Sequence, residues 1–196
     1  MPEAAVGAVL LAAGRGTRFG AEPKLLARLD GKPLVRHAVE AAFAATARPV
    51  VVVLGAHAEA VRAALDGLDA AFVENAAFAA GLSTSLRAGL AALPPAIDAA
   101  VILLGDMPRV TPGQIDRLVA AYHAARPPPA AIVPMVEGRR GNPVLLDRRV
   151  LADALASLSG DHGAGPLLKG RADVLEIRGE PGTALDVDTP DMLARL

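Results

Sequence analysis

Cysteine is absent from the 196 residues, which excludes disulfides, thiolate metal sites and a cysteine nucleophile. Aromatic residues make up 3% of the chain against a hydrophobic fraction of 53%, and much of that fraction is alanine. A core of Ala, Val and Leu suits helix-on-sheet packing better than a β-sandwich. Neither sign of charge dominates: the formal net charge is -1, which argues against general nucleic-acid binding, because affinity for a phosphate backbone needs a basic surface. No uninterrupted apolar run approaches the ~18 residues of a membrane span. No basic segment followed by an apolar stretch marks a signal peptide. The expectation is a cytoplasmic protein with a single domain over residues 1–196 and no nucleic-acid or membrane partner.

What the chain does contain is a series of short, nearly continuous apolar runs at 6–12, 50–54, 70–73, 100–104 and 130–134, with weaker ones at 143–146, 174–177 and 185–187. Runs without polar alternation suit strands buried on both faces of a sheet. Between them lie segments of helical periodicity. Residues 33–45 place Leu34, Val35, Ala38, Val39 and Ala42 on one stripe, with Pro33 expected at the first helical position. Segments 57–65, 83–93 and 111–125 follow the same pattern, the last with Thr111 as N-cap and Pro112 after it. Alternating strands and helices predict an α/β fold, a three-layer α/β/α sandwich around a mostly parallel, Rossmann-like sheet.

The first run leads directly into Gly14-Arg15-Gly16-Thr17-Arg18-Phe19-Gly20, followed by Pro23-Lys24. Glycines allow a sharp turn and close approach of backbone amides to a phosphate. The dinucleotide fingerprint GxGxxG would need glycine where Phe19 stands, and the P-loop pattern is absent. Arg15, Arg18 and Lys24 add cations that suit a triphosphate. A plain glycine-rich turn with solvated arginines is the simpler reading of GxGxxxG alone; Arg18 and Pro23-Lys24 shift the balance towards phosphate binding. Asp106, just beyond the apolar run 100–104, falls where open α/β sheets bind ligands and where an acidic metal ligand belongs. Its competing reading is a turn cap beside Gly105 and Pro108.

The stretch LLAAGRGTRFGAEPKLLARLDGKPL resembles the signature of the MobA-like NTP transferase family, matching it at Leu11, Ala12, Gly14, Gly16, Arg18, Gly20, Pro23 and Lys24. The resemblance implies that residues 11–16, with Lys24, bind the nucleotide. LGDMP resembles the element carrying the family's metal aspartate, which implies that Asp106 holds Mg2+. The late segment DVDTPD resembles the family's closing element and implies a second metal ligand at Asp188, whose bland reading is a helix N-cap. Around residues 75–86 the chain resembles the segment bordering base and ribose, which implies nucleotide contacts from Asn75, Gly81 and Ser83; their bland reading is ordinary capping. Asn142 and His162 lie in loops that resemble elements bordering the acceptor in the family branch acting on the molybdenum cofactor, which implies acceptor contacts from both. Gly165 stands where arginine is common in that branch. His37 and His123 are expected on solvated helix faces.

The resemblance implies catalysis by Arg18, Lys24 and Asp106: transfer of a nucleotidyl group to a phosphate acceptor, releasing pyrophosphate. Leu11-Ala12-Ala13-Gly14 resembles the branch that transfers CMP from CTP to molybdopterin, and Ala13 leaves less room than glycine for a base. A methyl group gives only ~1–3 kcal/mol of discrimination. The implied partners are a nucleoside triphosphate, a molybdopterin-type acceptor, and a molybdoenzyme or its chaperone downstream. Three alternatives stay open: a same-fold transferase using GTP or a sugar or polyol phosphate, a dinucleotide-dependent oxidoreductase, and a non-catalytic nucleotide-binding cofactor chaperone.

Overall fold

The computed structural model describes residues 3–20 and 22–196, so that Met1, Pro2 and Ala21 of the glycine-loop signature lie outside the described residues. The chain runs β1 (Val6–Ala12), β2 (Arg28–Leu29), β3 (Lys32–Pro33), α1 (Leu34–Ala44), β4 (Val50–Leu54), α2 (Ala58–Ala64), β5 (Ala71–Glu74), α3 (Leu82–Ala92) and β6 (Ala99–Leu104). It continues through α4 (Pro112–Ala124), β7 (Ala131–Val136), β8 (Arg139–Arg140), β9 (Val144–Asp147), α5 (Ala152–Ser157), α6 (Gly165–Leu168), β10 (Val174–Arg178) and α7 (Pro190–Leu193).

The main sheet has the order β10-β7-β9-β6-β1-β4-β5, with β8 pairing β7. Strand β1 lies between β6 and β4, parallel to both, and all seven of its residues are buried. That is the environment an uninterrupted apolar run requires. Strand β9 runs antiparallel to β6 and to β7. Alternate β1 side chains serve opposite faces. Ala8, Leu10 and Ala12 join α1, α2 and α4 residues in one apolar cluster, while Val9 and Leu11 join those of α3, α5 and α6 in another. The expected three-layer sandwich with a mostly parallel sheet is thus observed.

Three local expectations need correction. Residues 185–187 form no strand: the segment passes the end of β6, where Val187 N–H donates to Asp106 O at 2.9 Å. A single backbone bond beyond the end of β6 does not make a ladder. Pro33 caps α1 from outside, with extended ψ of 141°, because it also pairs in the β2–β3 hairpin. His37 and His123 are not solvated. Each is half-buried with a ring nitrogen 2.9 Å from a carbonyl, Leu29 O and Ala4 O respectively. The remaining helix starts agree closely; α4 carries a full capping box between Thr111 and Gln114. Among the described residues no helix is long and apolar enough to cross a membrane.

Candidate active site

The carboxyl ends of β1 and β6 open onto a cleft of about 440 Å³. One wall of it is built from the loop after β1. Gly105 N–H bonds to Leu11 O and Ala56 N–H to Ala13 O, so the neighbouring chains fasten the end of β1. Beyond that point the amides of Gly14, Arg15 and Gly16 have no acceptor among the described residues, and they are donors available to an anion. Gly16 adopts left-handed backbone, φ 60°, and a Cβ there would fall 2.7 Å from Lys24 Cβ. Glycine is therefore required twice over, by backbone conformation and by packing.

Phe19 does more than exclude a dinucleotide fingerprint. Its ring is buried in a small apolar cluster with Ala27, Leu29, Leu34 and Val187, away from the two main clusters. It thereby pins the loop from below. Pro23, in extended backbone, starts the 3-10 turn Lys24–Leu26 and directs Lys24 back into the cleft.

Lys24 is the centre of the site. Its Nζ donates to Asp106 Oδ2 at 2.6 Å and to Asp188 Oδ1 at 3.1 Å. Arg18 reaches the other Asp188 oxygen at 2.8 Å. The side chains of Lys24, Asp106 and Asp188 are 12%, 19% and 20% exposed, while Arg18 is 75% exposed. Burial alone would lower the Lys24 pKa, but the charge of Asp106, with hydrogen bonds to both carboxylates, outweighs it and holds the ammonium above its ordinary value. The cap readings of the two aspartates are not realised. Thr189, rather than Asp188, accepts from Met192 N–H to cap α7, which leaves Asp188 for Lys24 and Arg18. Asp106 spends Oδ2 on Lys24.

The donor set suits a hard divalent cation. Asp106 Oδ1 is buried and has no hydrogen-bond partner among the described residues, a costly state that a metal ion would relieve. Among those residues no group of three His, Cys, Asp or Glu side chains gathers at one point. Two carboxylates completed by substrate phosphates and water are what Mg2+ usually takes, unlike a structural zinc site.

The far end of the cleft is lined by Ala13, Phe78, Leu82, Ser85 and Asp161. Arg15 stacks over Phe78, 5.4 Å from the ring centroid. Leu11, Ala13, Gly14, Arg15, Gly16, Lys24 and Asp106 of the expected site line the cleft, whereas Ala12 is fully buried in the core. Asn75 is committed elsewhere. Its amide donates to Thr84 and Ser85 hydroxyls and its Oδ1 accepts from Ala77 N–H, so it organises the loop that opens α3. Ser83 is fully buried, with Oγ unpartnered among the described residues. Gly81 stands against the 160–161 turn: a Cβ there would fall 2.3 Å from Gly160 C and O. Leu82 N–H bonds to Asp161 Oδ1 and Ser83 N–H to Gly160 O. His162 is exposed, Asn142 half-buried with its N–H on Thr183 O, and neither lines the cleft.

Sequence reading missed Phe78, Leu82, Ser85 and Asp161. Phe78, Leu82 and Ser85 stood within the segment 75–86 already singled out, and Asp161 in the loop of His162, but none carried a signal that separates it from ordinary helix-start and turn residues.

A mostly parallel α/β sheet with a glycine loop, a half-buried lysine and two aspartates at its carboxyl end is consistent with a nucleotidyltransferase. The chain belongs to the MobA-like NTP transferase family, whose domain profile matches residues 8–175. It is 33% identical to nicotine blue oxidoreductase of Paenarthrobacter nicotinovorans over 96% of this chain and 94% of that protein. It resembles the crystal structure of Rv0371c from Mycobacterium tuberculosis H37Rv with a TM-score of 0.80 and 34% identity, covering 98% of this chain and 97% of that one. A manganese complex of Rv0371c matches equally, with a TM-score of 0.79 and coverage of 97% of each chain. A nucleotidyl transferase from Methanothermobacter thermautotroptrophicus gives a TM-score of 0.81 at 27% identity, over 97% of this chain and 95% of that one.

Proposed function

We propose that the chain transfers CMP from CTP to the terminal phosphate of a molybdopterin-type acceptor, releasing pyrophosphate with the help of Mg2+. The observation that carries the transferase reading is Lys24 held between Asp106 and Asp188 beside the amides of residues 14–16, which have no acceptor among the described residues.

In this reaction an acceptor phosphate oxygen bonds to the α-phosphorus of CTP as the bond to the bridging oxygen of pyrophosphate breaks. The acceptor is anionic at neutral pH, so no general base is required, and catalysis consists of alignment and charge neutralisation. Bound Mg2+ would neutralise phosphate oxygens and orient the triphosphate. Asp106 and Asp188 would hold it. The amides of residues 14–16 cradle the phosphates, and Arg15 and Arg18 pair with their outer oxygens. Lys24, drawn from the carboxylates to the triphosphate, offsets charge on the leaving pyrophosphate. Asn75, Gly81 and Ser83 shape the loop beneath base and ribose. Asn142 and His162 would meet the acceptor outside the cleft. A molybdoenzyme or its chaperone would then receive the product.

Ala13, 3% exposed and lining the cleft beside Phe78, supports a pyrimidine over a purine. The likeness of LAAG to the cytidylyl-transferring branch supports the same choice. The deciding experiment measures pyrophosphate release from CTP, GTP, UTP and ATP with molybdopterin and Mg2+. Release confined to CTP is the expected result. Release confined to GTP would overturn the base assignment, and CTP binding with no release would favour a cofactor chaperone.

A second reading follows from one relative's name. The likeness to nicotine blue oxidoreductase over nearly the whole chain supports a dinucleotide-dependent reduction at the same cleft, one made without the GxGxxG fingerprint that Phe19 excludes. Oxidation of NADH or NADPH with nicotine blue as acceptor, with no pyrophosphate released from any triphosphate, would establish it.

A further inference from the structure

The aspartates at the centre of the site come from distant parts of the chain, and they are held unequally. Asp106 follows β6 directly, and Gly105 N–H anchors that turn to Leu11 O. Asp188 follows a segment in no strand, and Thr189 caps the four-residue helix after it. Like charges repel, so once Lys24 turns to the triphosphate something else must keep Asp188 against Asp106.

Val187 meets that need. It is 1% exposed, although Asp186 before it is exposed and Asp188 after it partly so. Its side chain lies with Phe19 in the small cluster that includes Leu34, the fully buried first residue of α1. Its N–H donates to Asp106 O at 2.9 Å. One residue thus shares an apolar cluster with Phe19 of the triphosphate loop and bonds to the metal aspartate through its backbone. The residues next to these two also pair: Arg18, next to Phe19, meets Asp188, next to Val187, at 2.8 Å.

We propose that Phe19 and Val187 are positioning residues whose shared apolar cluster sets Asp188 against Asp106, so that both carboxylates can take one divalent cation. This rests on the reading of Asp106 and Asp188 as the metal pair. The apolar cluster supplies what the ion pairs alone cannot, a fixed seat that persists when Lys24 leaves for the triphosphate. Groups that orient metal ligands from outside the coordination sphere commonly control affinity by about 10–100-fold.

The test titrates the purified protein with Mn2+, following the free ion by electron paramagnetic resonance, with and without CTP. Thermal unfolding and circular dichroism are recorded in parallel. Val187→Ala is expected to lose about ten-fold or more in Mn2+ affinity at temperatures where it remains fully folded. Val187→Ile, which keeps the apolar contact, is expected to bind like the parent. Phe19→Leu should weaken binding as Val187→Ala does, and the double variant should bind no worse than the weaker single one, since both lose one contact. If Val187→Ala fails to fold, Phe19→Leu decides by the same measure. Parent-like affinity in either folded variant would overturn the inference, and a lowered Tm alone would mark the pair as merely structural. Parent protein that binds no Mn2+, or binds it unchanged after Asp106→Asn, would instead remove the metal-pair reading and this inference with it.

Discussion

Lys24 Nζ lies 2.6 Å from Asp106 Oδ2, while Asp106 Oδ1, buried, has no hydrogen-bond partner among the described residues. One oxygen of the carboxylate is thus neutralised by the protein and the other is left for something the protein does not supply.

Lys24→Ala and Asp106→Asn should therefore both lose transfer while remaining folded. Removing one electrostatic contact to transition-state charge costs about 10²–10³-fold in turnover. Pyrophosphate release at saturating Mg2+ measures it, with circular dichroism as the folding control. Near-parental turnover by either variant would refute the assigned roles.

Gly16→Ala places a Cβ 2.7 Å from Lys24 Cβ in a left-handed conformation. Lys24 then has to move, and a displacement near 1 Å in a positioned group can cost about 10²-fold in rate. Turnover should fall by that order, and equilibrium CTP binding should weaken with it. Unchanged turnover would mean that Lys24 is not held by this contact.

Gly81→Ala sets a Cβ 2.3 Å from the Gly160 carbonyl group at φ 113°, backbone against backbone, with no flexible side chain to yield. The 160–161 turn must lift, taking with it the acceptors of Leu82 and Ser83 N–H. A loss of about 2 kcal/mol would lower Tm by about 4–8 °C in a chain of this size. Gly165→Ala, whose added Cβ meets nothing within 4 Å, is the control and should leave Tm unchanged.

Asp147 and Tyr122 form a buried polar knot at the other end of the sheet, since Asp147 pairs with Ala99 at the start of β6. Burial pushes the Asp147 carboxyl up, but hydrogen bonds from Arg149, Tyr122 and two backbone amides outweigh it and hold its pKa below the ordinary 3.8. A carboxyl lowered in the folded state contributes stability that is complete above its unfolded value and is lost as pH falls through the folded one. Unfolding free energy should accordingly decline below about pH 4, and the decline should be shallower in Asp147→Asn. Tyr122→Phe should cost about 1.5–3 kcal/mol, the range for a hydrogen bond to a charged group, with turnover unaltered. Urea titrations across pH and the pyrophosphate assay check both parts.

Much of this was legible because the central strands are buried on both faces, which writes them as plain apolar runs. Strand β1 reads off residue by residue. The two-residue strands β2, β3 and β8 are too short for periodicity, although Asp30-Gly31 and Glu137-Gly138, all at positive φ, carry a hairpin-turn signal. Residues 185–187 read as a strand because Val187 must be buried; the burial is real but serves the small apolar cluster around Phe19 and Leu34, not a ladder. At the site, the glycine loop and Asp106 were legible because each follows its strand directly. Asp161 was not, since its place in the cleft depends on the turn at 160–161 docking onto α3 from a distant part of the chain. Asn75 was recognised as part of the right loop, but its side chain is spent inside that loop.

Lys24 bonds to residues 82 and 164 positions further along the chain. Contacts so distant in sequence close large loops, at an entropy cost that grows with loop length. No partly folded chain that lacks the final segment can hold the two carboxylates together. Tight divalent-cation binding should therefore appear in the last step of refolding, making the bound ion a spectroscopic clock for completion of the native topology.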